Sequence, residues 1–214
     1  MFIHQNDISL PKEQGAGSLP NLELFKMLLQ PHFLFNSLNN LYALSVKKSD
    51  QTTDAIAGLS DLLAKVVTCA RQELISLDQE IDLIEEYIRL ERIWLGETTF
   101  LLDLQVSGAT GNFQLPPLLL YTFVENCFKH GIRKCNGEGW LTIRIDVKEH
   151  ALHFKAKNLV PSWEDEVCGE RSRNSGLGIM AVKELLEKKC GGRYELRTGR
   201  KANVYAVDLQ INCK

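Results

Sequence analysis

Several common signatures are missing from this sequence of 214 residues. Its six cysteines include no Cys-x-x-Cys pair, so neither a metal cluster nor a disulfide framework is predicted, and a reducing cytosol fits best. The formal net charge of -2 gives no electrostatic argument for nucleic-acid binding. No apolar run is long enough to cross a bilayer, and the first residues lack the features of a signal peptide. What is present is the ordinary composition of a globular domain.

Changes in periodicity divide the chain into three parts. Residues 1–20 have scattered prolines and glycines, which predicts a linker or flexible arm and suggests further sequence upstream in a longer version. Residues 21–97 have apolar residues at helical spacing, which predicts two helices in an antiparallel hairpin and then a third helix. In residues 98–214 alternating strands and helices follow. The predicted fold class is therefore α+β.

The segment from residue 30 to residue 41 is the most informative one. His32, Asn36 and Asn40 recur every fourth residue, so they share one stripe of the predicted helix. A second, mostly apolar stripe is predicted to make the packing contact; its members are Leu34, Leu38, Leu41 and Ser45. A lone histidine on an apolar helix is most often an ordinary core or surface residue. The dense polar stripe favours instead a helix that presents a reactive imidazole.

A helix after Pro116-Pro117 carries the next cluster. Asn126 and His130 are four residues apart, as are Glu125 and Lys129, so one face presents an amide, an imidazole, a carboxylate and a cation. An amide oxygen suits one position on Mg²⁺, and a lysine can neutralise a phosphate. The alternative is a solvated helix end with a simple Glu–Lys pair.

A glycine pair and a polar loop complete the candidate site. Glycines directly before a helix let backbone N–H groups approach a phosphate at the positive end of the helix. The polar loop 160–175 could be a lid whose arginines reach a phosphate, or a plain surface loop. The residues concerned are Gly176, Leu177, Gly178, Arg171 and Arg173.

The order of these motifs resembles the LytS-type (YehU-like) sensor histidine kinases over residues 22–212. The segment that carries the resemblance is Gln30-Pro31-His32-Phe33-Leu34-Phe35-Asn36. The resemblance implies a helical dimerisation and phosphotransfer domain at 21–97, which forms a four-helix bundle on dimerisation. It further implies that residues 98–214 form an ATP-binding α/β sandwich of the GHKL (Bergerat) type.

The resemblance also implies residue roles. His32 is the expected phosphoacceptor, Asn36 orients it, and Glu125 is the candidate base. The expected nucleotide contacts are Asn126 on Mg²⁺, Lys129 and His130 near the phosphates, Asn158 at the adenine, Arg171 and Arg173 in the lid, and Gly176, Leu177 and Gly178 at its end. Two departures stand out: Asn158 occupies the place of an adenine-binding Asp, and no Asn follows Gly178.

The implied function is a two-component sensor kinase with ATP and Mg²⁺ as cofactors. It would autophosphorylate His32 as a homodimer and pass the phosphoryl group to an aspartate of a response regulator, often of the LytTR type. No direct nucleic-acid contact is expected. The chain is expected in the cytoplasm, or at the cytoplasmic face of the inner membrane if a longer sensor carries a membrane segment. One rival is a degenerate kinase that acts as a dimeric scaffold, and another is a gyrase-like ATPase, for which the chain is short.

Overall fold

A computed structural model describes residues 31–96, 100–135, 139–161 and 177–212, without the side chains of residues 31, 32, 177 and 178. Its first part contains three helices, α1 (Pro31–Val46), α2 (Thr52–Ala70) and α3 (Leu77–Leu95). The short strand β1 (Ile75–Ser76) lies between α2 and α3. Ser76 starts α3 with a capping box, in which its hydroxyl accepts from the Gln79 N–H and its own N–H donates to the Gln79 side chain.

The second part contains strands and helices in alternation, as the change of periodicity predicted. The elements are β2 (Phe100–Ser107), β3 (Gln114–Leu115), α4 (Leu119–His130), a 3-10 turn (Ile132–Lys134), β4 (Gly139–Lys148), β5 (Ala151–Leu159), α5 (Leu177–Cys190), β6 (Tyr194–Lys201) and β7 (Val204–Asn212). Five of the strands form one mixed sheet in the order β2-β4-β5-β7-β6. Strands β2 and β4 are parallel, and the remaining pairs are antiparallel.

One face of the sheet packs against helices. Alternate residues of β4 and β5 are buried, among them Ile143, Ile145 and Phe154, whereas their neighbours are polar and partly exposed. Phe123 of α4 stacks on Phe154 with 5.8 Å between the ring centroids. This half-open sheet with helices on one side is the α/β sandwich that was predicted.

The hydrophobic core is continuous from α2 to β7. Leu83 and Ile84 of α3 are fully buried in the same cluster as the residues of α4 and the sheet. In addition β1 pairs with β3, so that Ile75 lies opposite Leu115. Residues on both sides of the predicted domain boundary near residue 97 therefore share one core. The division into two domains stays a prediction.

The packing face of α1 differs from the predicted stripe. Phe33 and Leu41 pack on the core and Ser37 is buried, whereas Leu38 is exposed. The Ser37 hydroxyl donates to the Phe33 carbonyl, which explains how a polar residue occupies the inward face. Leu41 thus makes the predicted contact, whereas Phe33 and Ser37 take the places expected for Leu34 and Leu38.

Candidate functional site

Helix α4 is held at its first turn by a carboxylate from α3. Glu80 is fully buried, and its carboxylate accepts hydrogen bonds from the N–H groups of Leu118 at 2.8 Å and Tyr121 at 2.9 Å. These bonds satisfy donors that a helix start leaves without partners. Burial raises the pKa of Glu80 to about 7, against the lowering effect of the backbone hydrogen bonds. Glu80 thus fixes where α4 begins relative to α3.

The last turns of α4 present the predicted polar cluster. Glu125, Asn126, Lys129 and His130 are all partly buried on this helix. Burial raises the pKa of Glu125, while the charges of Lys129 and Arg133 oppose that rise. A carboxyl group with a raised pKa takes up a proton more readily than an exposed one, which suits a base.

Asn158 lies at the end of β5 and contacts the end of α4. Its Nδ2 donates to the carbonyl of Leu159 at 2.8 Å and to that of Cys127 at 3.3 Å. Two carbonyl acceptors fix the orientation of the amide, because a flipped amide would point its oxygen at them. Oδ1 is buried and has no hydrogen-bond partner within the described part of the chain. A buried acceptor of this kind fits a ligand that donates, such as the amine of adenine.

Gly131 makes the close approach of α4 and β5 possible. A Cβ atom at this position would overlap Asn158 Nδ2 and would lie 2.6 Å from the carbonyl oxygens of Cys127 and Leu159. The absence of a side chain at Gly131 is therefore needed for this close contact.

A second carboxylate of α3 pairs with the turn that follows α4. Glu91 is fully buried and receives two hydrogen bonds from the Arg133 guanidinium, one of them from Nε at 2.9 Å. The same guanidinium lies over the Trp94 ring at 5.5 Å from its centroid. Trp94 in turn contacts Phe33 of α1, with 6.3 Å between ring centroids.

The structure brings together some of the predicted site residues and leaves others outside the described part. Asn158, near the end of the central strand β5, contacts the last turns of α4, which carry the polar cluster. His32 lies in the first turn of α1 with Asn36 one turn further on, but the His32 side chain is not described. Leu177 and Gly178 begin α5. Arg171, Arg173 and Gly176 are outside the described residues.

The sequence interpretation missed Glu80 and Glu91. Glu80 lies in the first turn of α3, where acidic residues are common, but it is a buried cap for another helix. The missed signal is its spacing, because Glu80, Ile84, Tyr87 and Glu91 share the apolar face of α3. An acidic residue on such a face needs a buried partner, here backbone N–H groups for one and Arg133 for the other.

The described residues include neither a metal-binding cluster nor a membrane-spanning helix. No group of three or more His, Cys, Asp or Glu side chains is placed to hold a metal ion in the described ranges. In those same ranges, no helix has both the length and the apolar character needed to cross a membrane.

Comparison with known proteins gives consistent results. The family model described as histidine kinase matches residues 21–99. The chain is 28% identical over 171 residues to the sensor protein LytS of Enterococcus faecalis, covering 78% of the chain and 28% of that relative. It is 31% identical over 125 residues to the sensor histidine kinase YpdA of Escherichia coli, covering 58% of the chain and 22% of that relative. The chain thus spans less than a third of either curated relative.

A solved structure shows the same fold. The histidine kinase domain of the blue-light activated histidine kinase EL346 from Erythrobacter litoralis aligns with a TM-score of 0.50 and 15% identity, over 90% of this chain and 93% of that one. Residues 21–99 thus match the histidine kinase family model, and the chain shares the fold of a solved histidine kinase domain. Within that class the chain is similar to the LytS-type sensor kinases, so the resemblance and the fold class predicted from the sequence are confirmed.

Proposed function

We propose that the chain is the kinase core of a two-component sensor, which autophosphorylates His32 from ATP and passes the phosphoryl group to an aspartate of a response regulator. The observation that carries this proposal is the meeting of α4 with Asn158. Four polar side chains lie on the last turns of α4, and the same part of the helix contacts Asn158, whose buried Oδ1 has no partner among the described residues. A nucleotide offers both the donor that this oxygen needs and the phosphates that the α4 cluster suits.

The residues would divide the binding of the nucleotide between them. Asn158 Oδ1 would accept from the adenine amine, and Asn126 would supply one oxygen ligand to Mg²⁺. Lys129 and His130 would lie near the phosphates, with Lys129 as a point charge. When bound, Mg-ATP supplies the phosphoryl group and part of the charge neutralisation. The roles of Arg171, Arg173, Gly176, Leu177 and Gly178 at the lid stay predictions.

His32 would act as the nucleophile through the lone pair of a neutral imidazole nitrogen. An ordinary histidine has a pKa of about 6.5, so this form is abundant near neutral pH. Glu125 would bind the proton of the other ring nitrogen, and Asn36 would hold the ring in place. The raised pKa of Glu125, caused by burial, supports this assignment. As the N–P bond forms, the bond from the γ-phosphorus to the bridging oxygen would break, so the products are phosphohistidine and ADP.

Labelling with γ-labelled ATP and Mg²⁺ tests the proposal. We expect phosphate that is acid-labile and alkali-stable on the wild-type protein, and none on His32→Gln or Asn126→Ala. His150→Gln is the matched control, because His150 is exposed at the turn between β4 and β5. Labelling that survives His32→Gln refutes the phosphoacceptor assignment.

The exposed face of α1 supports a homodimer. Its apolar side chains are between 57% and 72% exposed and recur every three or four residues; they are Phe35, Leu38, Tyr42 and Val46. Ile56 of α2 is also exposed. Two copies of the hairpin could cover this stripe by forming a four-helix bundle. The response regulator, which we propose to be of the LytTR type, would then receive the phosphoryl group from His32.

A degenerate kinase that acts as a dimeric scaffold is the second candidate. The observation that favours it is the burial of Asn158, whose Nδ2 serves two backbone carbonyls and whose side chain carries no charge. Calorimetry with ADP and Mg²⁺ separates the two candidates. Binding together with labelling supports the kinase, whereas a dimer that neither binds nor labels supports the scaffold.

A further inference from the structure

A continuous set of contacts links α1 to the turn after α4. Phe33, the residue next to His32, contacts the Trp94 ring, and the Arg133 guanidinium lies over that ring. Arg133 is held in place by its two hydrogen bonds to the buried Glu91. Two residues before Arg133 comes Gly131, which packs against Asn158. The set therefore starts beside the candidate phosphoacceptor and ends beside the candidate adenine contact.

Trp94 is an unusual choice for a residue that only fills space. Its Nε1 is buried and has no hydrogen-bond partner among the described residues, which is unfavourable for an indole N–H. A leucine or phenylalanine would avoid that cost. The indole, however, offers a broad π face that binds a guanidinium on one part and an aromatic ring on another. Both contacts depend on the orientation of a single ring.

The guanidinium is equally specific. Arg133 donates to both oxygens of Glu91 in the paired geometry of a planar fork, while it also stacks on the indole. A lysine could keep the charge that neutralises Glu91, but it could neither bind both oxygens in one plane nor stack. The turn after α4 is thus in contact with the Trp94 ring through Arg133.

We propose that Trp94 and Arg133 are positioning residues, which set the first turn of α1, and with it His32, according to the position of the turn after α4. The inference rests on the proposed function, because it concerns delivery of the phosphoacceptor to the nucleotide site. Neither residue touches the reacting atoms. Their effect would appear in the rate of phosphoryl transfer and leave nucleotide affinity unchanged, since a small displacement of reacting groups can cost about 100-fold in rate.

A spectroscopic experiment tests the contact without any need for kinase activity. The sequence has three tryptophans, so Trp140→Phe with Trp163→Phe leaves Trp94 as the sole reporter. We expect Phe33→Leu and Arg133→Lys each to shift the Trp94 emission, because each changes one face of the ring. Emission that neither substitution alters overturns the inference, whether or not the protein is a kinase.

A kinetic experiment tests the positioning role. We expect Trp94→Leu to lower the labelling rate of His32 at saturating Mg-ATP by at least about tenfold, with the Kd for ADP within about twofold of wild type by calorimetry. Trp140→Leu is the matched control, a partly buried tryptophan of β4 that should change neither quantity. The inference is overturned if Trp94→Leu and Trp140→Leu lower the labelling rate equally. It is also overturned if Trp94→Leu lowers the affinity for ADP as much as the labelling rate. A wild type that neither labels nor binds ADP refutes the proposed function and the positioning role with it, and the emission response still reports the contact separately.

Discussion

The pH dependence of stability should reveal Glu80 as the group that ties α3 to α4. Its pKa lies at about 7 in the folded protein instead of the ordinary 4.5, because burial outweighs the hydrogen bonds from the backbone N–H groups. The folded state therefore holds the proton more tightly than the unfolded state. For such a group the contribution to stability is fully present below pH 4.5 and is lost as the pH rises through about 7.

The expected size follows from the interval between the two pKa values. A difference of one pKa unit corresponds to about 1.4 kcal/mol, so the interval from 4.5 to about 7 corresponds to about 3 kcal/mol. Glutamine at this position cannot ionise, but its NH2 group cannot accept either of the two backbone N–H groups that the carboxyl oxygens of Glu80 accept. Glu80→Gln should thus be less stable than the wild type near pH 4.5 by about 1–3 kcal/mol, the cost of one unpaired buried N–H. Relative to the wild type, its free energy of unfolding should then rise by about 3 kcal/mol between pH 4.5 and pH 8.

Urea unfolding between pH 4.5 and 8.5 measures this difference. The raised pKa of Glu125 adds a pH dependence of the same sign, but it is present in both proteins and cancels. Glu85→Gln is the matched control, since Glu85 is an exposed carboxylate of the same helix. The reasoning is refuted if the free energies of unfolding of wild type and Glu80→Gln follow parallel curves against pH. It is also refuted if Glu80→Gln becomes less stable relative to the wild type as the pH rises.

Three further substitutions test the site and the exposed face of α1. Gly131→Ala should lower the free energy of unfolding by about 1–3 kcal/mol, because the new Cβ overlaps Asn158, and should lower the Tm by several degrees. Gly199→Ala is the control and should leave the Tm unchanged, because the space around its Cβ position is open. Asn158→Asp should lower the free energy of unfolding in urea by about 1–3 kcal/mol near pH 7, because the carbonyls of Cys127 and Leu159 lose their donor. A variant as stable as the wild type would contradict the assigned orientation of the amide. Leu38→Glu should shift the molar mass in light scattering from dimer to monomer, while Leu101→Glu on the exposed side of β2 should leave it unchanged.

Periodicity was enough to predict most elements of this fold. The alternation in β4 and β5 and the helical spacing in α3 reflect burial on one face, which a sequence records directly. The spacing of Glu125, Asn126, Lys129 and His130 likewise predicted a shared region of α4, because residues four apart on a helix are neighbours. Patterns of this kind depend only on local geometry.

Partners distant in sequence could not be predicted in the same way. Glu80 binds the N–H groups of residues 38 and 41 positions further on, and Glu91 pairs with Arg133 across 42 positions. Nothing local distinguishes these carboxylates from solvated ones except their place on an apolar stripe. The packing face of α1 was predicted correctly at Leu41 but not at Leu38, because Ser37 is buried instead and its hydroxyl bonds within its own helix.

These long-range pairs also bear on whether residues 98–214 can fold alone. Such a fragment would lack Glu80, so the first N–H groups of α4 would lose their cap, and it would lack Glu91, so Arg133 would lose its buried partner. It would also expose the apolar surface that α3 covers in the common core. Loss of one partner from a buried ion pair alone costs about 3–5 kcal/mol, a large part of the stability of a small domain. We therefore expect a fragment of residues 74–214 to unfold cooperatively in urea, and a fragment of residues 98–214 to show no cooperative transition. Cooperative transitions with similar midpoints in both fragments would show that the sandwich does not need α3.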